Sequence, residues 1–188
     1  RTRDLSLDVK IDPRVLQLVA AQPAATRPRV LAMLTNVDSG GATFSGARVA
    51  ALAESPRARA RLVHTADSLV ATLGLGGLAV DFEQVPPPAR SSVELLLREL
   101  SAAMHARHAT LAVTVAADED EDAIRRWGDA ADFTIAMLYD EHSAQNDAGP
   151  VASQRWYEAA ANRMVQLVPP SHLIFAFGTF GYAGGDAV

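Results

Sequence analysis

The sequence predicts a parallel α/β fold from two observations. Short runs of apolar residues recur along the chain, and they are apolar at successive positions, as in strands that are buried on both faces. Between these runs lie longer segments whose apolar residues recur at spacings of three and four, which is typical of helices with one buried face. Strand followed by helix, repeated, indicates a sheet of parallel strands connected by helices.

Five strands are predicted in chain order: Val30–Thr35, Gly77–Phe82, Thr110–Ala117, Phe133–Tyr139 and Leu173–Phe180. A further segment, Leu5–Ile11, alternates apolar and polar residues with period two, which predicts one more strand near the start. A sheet that lacks neighbours at its ends has an unpaired edge. We therefore expect either association through a terminal strand or coverage of that strand by Leu5–Ile11.

Three helices are predicted from periodicity and end signals. Arg57–Leu73 carries its apolar residues on one side, and the glycines that follow are predicted to end this helix and begin the next strand. Ser91–Arg107 opens with Ser-Ser-Val-Glu, the sequence of a capping box. Ser153–Leu167 is predicted to begin at a Ser153 cap and to end before the two prolines that follow it.

Composition excludes several classes of function. The chain has 188 residues, 49% of them hydrophobic, which is enough for one core and predicts one domain over residues 1–188. The net charge of -5 argues against a nucleic-acid partner, because no basic surface neutralises phosphates. Cysteine is absent, which excludes disulfides and thiol catalysis. Since the chain starts at Arg1 without methionine, we expect it to be a piece of a longer protein.

Two acids, Asp81 and Glu83, lie at the end of the second predicted strand. Because side chains alternate along a strand, both carboxyls are predicted to point to the same side, about 7 Å apart. Ligands of parallel α/β proteins bind at the carboxyl ends of the strands. Neighbouring carboxylates disfavour each other's ionisation, so such a pair suits acid catalysis. The alternative is that the two acids only end the strand and cap a turn.

The fourth predicted strand also ends in polar side chains. Tyr139 and Asp140 close the apolar run "FTIAMLYD", and Glu141 and His142 follow directly. The carboxyl ends of parallel strands meet at one edge of a sheet. The sequence therefore predicts that Tyr139 and Asp140 join the acid pair at a common rim.

These motifs resemble glycoside hydrolase family 18, the chitinase and chitinase-like family, and in particular its bacterial cell-envelope members of the spore-cortex-lytic type. The fourth barrel strand of that family carries Asp-x-x-Asp-x-Asp-x-Glu, and the run "GGLAVDFE" matches its last two acids at Asp81 and Glu83. The sixth strand carries Met-x-Tyr-Asp, which is matched in full by Met137, Tyr139 and Asp140.

The resemblance covers about Val30 to Gly184 and implies a (β/α)₈ TIM barrel. Such a barrel needs about 250 residues, so we expect it to be incomplete in this chain, with about strands three to seven visible. Gly76 and Ala79 replace the first and middle acids of the motif. The family's Ser-x-Gly-Gly signature is also missing from the first predicted strand, which reads "VLAMLTN". In the family, the middle acid shares a proton with the acid that Asp81 matches, and Ala79 cannot take that role.

The resemblance implies a substrate-assisted retaining glycosidase. Glu83 would protonate the glycosidic oxygen while the 2-acetamido carbonyl of the sugar attacks the anomeric carbon. Asp81 would stabilise the resulting oxazolinium cation, and the Tyr139 hydroxyl would hold the acetamido oxygen. This chemistry needs no metal and no organic cofactor. The candidate substrate-binding residues are Asp140, Met137, His142, Asn36 and Tyr182.

The resemblance implies a polymer of β-linked N-acetylglucosamine as substrate: chitin, peptidoglycan or an exopolysaccharide. It implies action in the cell envelope or outside the cytoplasm, and the full protein could carry a fused deacetylase or glycosyltransferase domain. The alternative is a carbohydrate-binding, lectin-like domain without activity, which the replacements at Gly76 and Ala79 favour.

Other patterns are weaker. Residues 74–79 match G-x-G-x-x-A, but they follow a helix and enter a strand, the reverse of the order in dinucleotide-binding folds. The acidic run at 118–122 lacks the spacing of a calcium loop and is interpreted as a solvated helix start. Trp127 and Trp156 lie on helical stretches and are expected to pack in the interior.

Overall fold

The computed structural model describes residues 7–38, 43–142 and 148–181. Five strands form one parallel sheet in the order β1-β2-β3-β4-β5. The strands are β1 Leu31–Thr35, β2 Gly77–Asp81, β3 Thr110–Ala116, β4 Phe133–Met137 and β5 Leu173–Ala176. The α-helices are α1 Pro13–Ala20, α2 Gly46–Glu54, α3 Pro56–Leu73, α4 Arg90–His105, α5 Glu121–Gly128 and α6 Gln154–Leu167. The predicted α/β class is confirmed.

The chain divides into two compact units, Arg1–Leu111 and Ala112–Val188. In the first unit β1 and β2 pair in parallel, from Leu31 opposite Gly77 to Thr35 opposite Asp81. Helix α4 contacts α2 and α3. Its buried side chains in this unit are Val93, Leu96, Leu97, Leu100 and Met104. The prediction of one domain over residues 1–188 stays a prediction.

A partly buried ion pair also connects the helices of the first unit. Arg59 of α3 is only 8% exposed. Its Nε lies 3.1 and 3.0 Å from the two carboxylate oxygens of Glu99 on α4. Its Nη1 donates to the carbonyl of Ala53 on α2 at 2.7 Å. One guanidinium therefore joins three helices, and its planar array of donors suits this geometry.

The amino ends of the first three strands are joined by hydrogen bonds to main-chain carbonyls. Arg29 Nη2 donates to the carbonyl of Gly76 at 2.9 Å and to the carbonyl of His108 at 3.1 Å. The Thr110 N–H donates to the same Gly76 carbonyl at 2.8 Å. Gly77 has a φ of 149°, and a Cβ there would collide with the Thr110 backbone. Only glycine permits so close an approach.

The second unit is built on β3, β4 and β5. Thr114 lies opposite Ile135, and Ile135 lies opposite Ile174. Helix α6 contacts α5 and β5. Arg163 of α6 donates to the carbonyl of Ala117 at 2.8 Å and to that of Glu119 at 2.6 Å, which holds the segment after β3. The buried side chains include Val113, Val115, Ile124, Trp127, Leu138 and Met164.

The predicted strand at Leu5–Ile11 is wrong in its described part. Residues 7–12 form no strand, and α1 begins directly after them at Pro13. Asp12 caps this helix by accepting from the Arg14 N–H, and proline at the first helical position is preorganised for a helix. Residues 7–12 nevertheless lie near β1. Together with residues 30–34 they line a cavity of about 290 Å³.

The edge strands of the described sheet are β1 and β5. Met33 of β1 is 63% exposed and Ile174 of β5 is 45% exposed. Within the described ranges, β1 and β5 each pair with another strand on one side only, and each exposes an apolar side chain. The expectation of association through such an edge stays a prediction.

The helix-end predictions had mixed outcomes. Gly74 ends α3 in the left-handed conformation with a φ of 62°, and the Ser153 side chain caps α6 by accepting from the Trp156 N–H, as predicted. The capping box at Ser91 is wrong. Helix α4 follows a 3₁₀ turn at Pro87–Ala89 and already begins at Arg90, so Ser91 lies inside it. The Glu94 carboxylate instead accepts from Arg98 one turn later.

Trp127 is 2% exposed, so its predicted packing role is confirmed. Within the described ranges, no helix combines the length and the apolar character needed to cross a bilayer.

Candidate active site

The acid pair follows directly from the end of β2. Asp81 is the last residue of the strand and is only 8% exposed, which is unusual for a carboxylate. It lies opposite Thr35, the last residue of β1. Glu83 lies two residues beyond the strand and is half-buried. Both acids are therefore at the carboxyl end of β2, as predicted.

The main chain of Glu83 is held by a side chain from the neighbouring strand. The Glu83 N–H donates to Asn36 Oδ1 at 2.9 Å, and Asn36 Nδ2 donates to the Glu83 carbonyl at 2.9 Å. The main-chain pairing of β1 with β2 ends at Thr35 and Asp81. The Asn36 amide extends that pairing beyond the strands, because a carboxamide offers the same donor and acceptor as a peptide group.

The chain turns sharply after Glu83. Gln84 has a φ of 57°, the left-handed region that non-glycine residues rarely adopt. Its carbonyl packs against Gly46, the first residue of α2, where a Cβ would collide with it. Val85 is then buried at 6% exposure, and the 3₁₀ turn at Pro87–Ala89 leads into α4. The backbone is thus fixed on both sides of Glu83.

The predicted common direction of the two carboxyls stays a prediction. Alternation with period two applies within a strand, and β2 ends at Asp81. The predicted convergence of Asp81 and Glu83 with Tyr139 also stays a prediction.

The candidate residues of the second unit follow β4. Met137 is the last residue of the strand, and Leu138 is fully buried with its N–H donating to the Ala176 carbonyl at 3.1 Å. Tyr139 is half-buried, and its ring packs against that of Phe180 in a T-shaped arrangement with 5.9 Å between centroids. Asp140 is exposed and has a φ of 68°. A left-handed residue directly after Tyr139 redirects the chain there, as Gln84 does after Glu83.

Glu141 holds the start of α6. Its carboxylate accepts from the Ser153 N–H at 2.5 Å and from Ser153 Oγ at 3.0 Å, while its own N–H donates to the Val151 carbonyl at 2.9 Å. The Ser153 backbone N–H is the main reason that the pKa of Glu141 lies below its usual value, and the Ser153 hydroxyl adds to this. Ser153 Oγ in turn accepts from the Trp156 N–H. Glu141 therefore fixes the segment that follows Tyr139 and Asp140.

His142 lies in the same segment. Its Nδ1 is 3.0 Å from the Pro150 carbonyl, and its ring lies so close to Gly149 that a Cβ there would collide with it. These contacts hold the imidazole against residues 149–150. Tyr182, the remaining predicted substrate-binding residue, lies outside the described residues. Contact of Met137, Asp140, His142 and Asn36 with substrate stays a prediction.

Gly76 and Ala79 stand at two positions where the motif has an acid, and both are closely surrounded. At Gly76, a Cβ would come within 2.8 Å of the Arg29 Cβ. An aspartate at that position would therefore displace Arg29, which bridges the strand ends. Ala79 lies within β2 opposite Met33 and is 7% exposed. In the described ranges, no group of three or more His, Asp or Glu residues is arranged to hold a metal ion.

No family model matches the chain. The chain is 31% identical over 159 residues to YdhD of Bacillus subtilis, a proposed sporulation-specific glycosylase, covering 81% of this chain and 37% of that protein. It is 25% identical over 160 residues to the uncharacterized glycosylase YvbX of the same bacterium, covering 80% of this chain and 46% of that protein. The chain thus spans less than half the length of these relatives.

Solved structures show the same likeness. The crystal structure of YdhD matches with a TM-score of 0.78 and 28% identity over 89% of this chain and 56% of that one. A chitinase from Chromobacterium violaceum matches with a TM-score of 0.74 and 26% identity over 87% of this chain and 53% of that one. The chain is similar to bacterial glycosylases and chitinases. The predicted resemblance to chitinase-like glycosidases is confirmed at this level, and the fold is that of their TIM barrels, covered in part.

Sequence reasoning missed two roles. Asn36 was predicted only as a substrate-binding residue, although both polar atoms of its side chain engage the Glu83 main chain. Glu141 was given no role, although its carboxylate binds the cap of α6. The partners are 47 and 12 residues apart. No periodic pattern links residues at such separations.

Proposed function

We propose that the chain is a glycosidase of family 18 that hydrolyses polymers of β-linked N-acetylglucosamine by substrate-assisted, retaining catalysis. The observation that carries the proposal is the acid pair: Asp81 ends β2 in a buried position, and the main chain of Glu83 is clamped directly beyond it. Similarity to glycosylases and chitinases supports the same reaction class.

Glu83 is the general acid in this proposal. It donates its proton to the glycosidic oxygen as the bond to the anomeric carbon breaks, and the acetamido carbonyl of the sugar closes onto that carbon. Glu83, now a carboxylate, then takes a proton from the water that opens the oxazolinium ring. The leaving sugar departs as an alcohol, and the configuration at the anomeric carbon is retained.

Asp81 and Tyr139 serve the acetamido group. The Asp81 carboxylate stabilises the positive charge of the oxazolinium ion, and its low exposure strengthens that interaction relative to water. The Tyr139 hydroxyl holds the acetamido oxygen, and Asp140 binds a sugar hydroxyl.

The polymer is chitin, peptidoglycan or an exopolysaccharide, and we propose action in the cell envelope. The name of the relative YdhD, a proposed sporulation-specific glycosylase, supports a substrate with glycosidic bonds. We further propose that the full-length protein carries a deacetylase or glycosyltransferase domain.

Turnover of a chromogenic N-acetylglucosamine oligomer tests the proposal. Glu83→Gln should lower kcat/KM by about 10²- to 10⁴-fold, the usual contribution of a positioned acid. The matching glucose oligomer should not be cleaved, because it lacks the acetamido nucleophile. Equal cleavage of the glucose oligomer would refute the mechanism.

The second candidate is a lectin-like binding domain. It is favoured by Ala79, which replaces the middle carboxylate of the motif. Tight oligomer binding without turnover, unchanged in Glu83→Gln, would establish this alternative.

A further inference from the structure

We propose that Asn36 is a positioning residue that sets the orientation of Glu83 for proton transfer. The proposal rests on the proposed function, because it assigns Asn36 a part in that reaction. It differs from a role in substrate binding, since Asn36 acts through the Glu83 main chain.

The first argument is the geometry of the contact. Both hydrogen bonds between the Asn36 amide and the Glu83 main chain measure 2.9 Å, and one runs in each direction. A paired contact of this kind fixes the peptide plane as well as the distance. Alanine offers neither group, and an ionised aspartate offers only the acceptor.

The second argument is that Asn36 is itself anchored. Its carbonyl accepts from the Ser45 N–H at 3.1 Å. The next residue, Val37, pairs in antiparallel fashion with Phe44. The Val37 N–H also donates to Thr35 Oγ1 at 3.2 Å. The side chain that holds Glu83 therefore extends from a backbone whose next peptide group is hydrogen-bonded through both its carbonyl and its N–H.

The third argument is the turn that follows. Gln84 is left-handed, and its carbonyl packs against Gly46 without room for a side chain. Conformations of this kind persist where the surrounding structure determines them, and they cluster at functional sites. Asn36 before the turn and Gly46 after it leave the Glu83 backbone little freedom.

The chemical consequence concerns proton transfer. A general acid acts only within hydrogen-bond reach of the leaving oxygen, and a displacement of about 1 Å costs on the order of 100-fold in rate. Loss of the Asn36 contact should therefore slow bond cleavage while leaving the sugar-binding groups in place. We expect Asn36→Ala to lower kcat by about 10- to 100-fold with little change in KM.

The test compares two aryl glycosides of the N-acetylglucosamine dimer. Dinitrophenolate leaves without a proton, whereas methylumbelliferone needs more help from the acid. If Asn36 acts through Glu83, Asn36→Ala should lose about 10-fold or more in kcat/KM on the methylumbelliferyl substrate and much less on the dinitrophenyl one. Asn162→Ala, an exposed asparagine-to-alanine change on α6, is the matched control and should retain both rates.

A double variant tests the same point independently. Glu83→Gln combined with Asn36→Ala should be no slower than Glu83→Gln alone, because residues that act as a unit are not additive. Asn36→Asp keeps the shape of the side chain and the acceptor for the Glu83 N–H. It should show the same dependence on the leaving group, and it decides the question if Asn36→Ala does not fold.

The outcomes separate the two proposals. An active wild type with equal losses on both substrates, or with no loss in either Asn36 variant, overturns the positioning role and leaves the proposed function intact. A wild type that turns over neither substrate overturns the proposed function, and the positioning role falls with it.

Discussion

The substitution Gly46→Ala tests the packing of the turn after Glu83, because the sign of the change in stability depends on that packing. Gly46 is the first residue of α2 and is buried. Replacing glycine by alanine usually stabilises a compatible helical site by about 0.4–1 kcal/mol, because the unfolded chain loses freedom. If the site were open, Gly46→Ala should therefore raise the melting temperature by roughly 1–4 °C.

The structure predicts the opposite sign. The new methyl group would overlap the Gln84 carbonyl, and either α2 or the turn must move on the order of 1 Å to accept it. Overpacking of this kind costs about 1–3 kcal/mol. In a chain of this size that corresponds to a melting temperature roughly 2–12 °C lower. Because Gln84 follows Glu83 directly, turnover of the chromogenic oligomer should fall as well.

Thermal unfolding followed by circular dichroism measures the shift, and urea unfolding gives the free energy independently. Gly181→Ala is the control, since a Cβ at Gly181 meets nothing within 4 Å. It should leave the melting temperature unchanged or slightly raised. A melting temperature for Gly46→Ala equal to or above that of the wild type would refute the proposed close packing of the turn.

Two further predictions concern the charged contacts. Because the pKa of Glu141 is lowered in the folded state, its carboxylate stabilises the fold above the unfolded pKa and loses this effect as the pH falls through the folded one. Glu141→Gln should therefore lower the melting temperature at pH 7 and have a smaller effect at pH 3; equal differences at both pH values would contradict the Ser153 contact. Arg59→Lys should cost about 2 kcal/mol in urea unfolding, because the single lysine nitrogen cannot occupy both the Nε position beside Glu99 and the Nη1 position beside the Ala53 carbonyl. Arg98→Lys, in an exposed pair one helical turn apart, should cost less than about 0.5 kcal/mol, and equal costs would argue against the buried geometry of Arg59.

Much of the fold could be predicted from periodicity. Each predicted strand from Val30–Thr35 to Leu173–Phe180 contains a strand of the structure, because parallel strands buried on both faces are apolar without interruption. Ends were less predictable. The fourth strand was predicted to run from Phe133 to Tyr139. In the structure it ends at Met137, and Asp140 adopts a left-handed conformation. Apolar residues indicate where a segment is buried, not where strand pairing ends. Leu138 is fully buried although it lies beyond the last paired residue of β4.

The site could be predicted in part. Asp81, Glu83 and Tyr139 were identified from motif and strand position, and the acid pair lies at the strand end as expected. The contact of Asn36 with Glu83 could not be predicted, since it joins residues 47 positions apart by side-chain chemistry alone. The helix α1 was missed because the alternation in residues 5–11 predicted a strand directly before it. The Asp12 cap and Pro13 decide that segment, and both act locally on the helix start.

The bridge from Arg29 to the Gly76 and His108 carbonyls has a consequence for how such a protein could change over time. It joins the chain just before β1, β2 and β3 begin, whereas the acid pair follows the point where β2 ends. The contacts that join the strand starts and the candidate catalytic acids thus involve different groups of positions within one unit. Substitutions near the Arg29 end could accumulate without disturbing the acids. Under the proposed function, substitutions near the acids could change which polymer is cleaved while the Arg29 contacts stay intact.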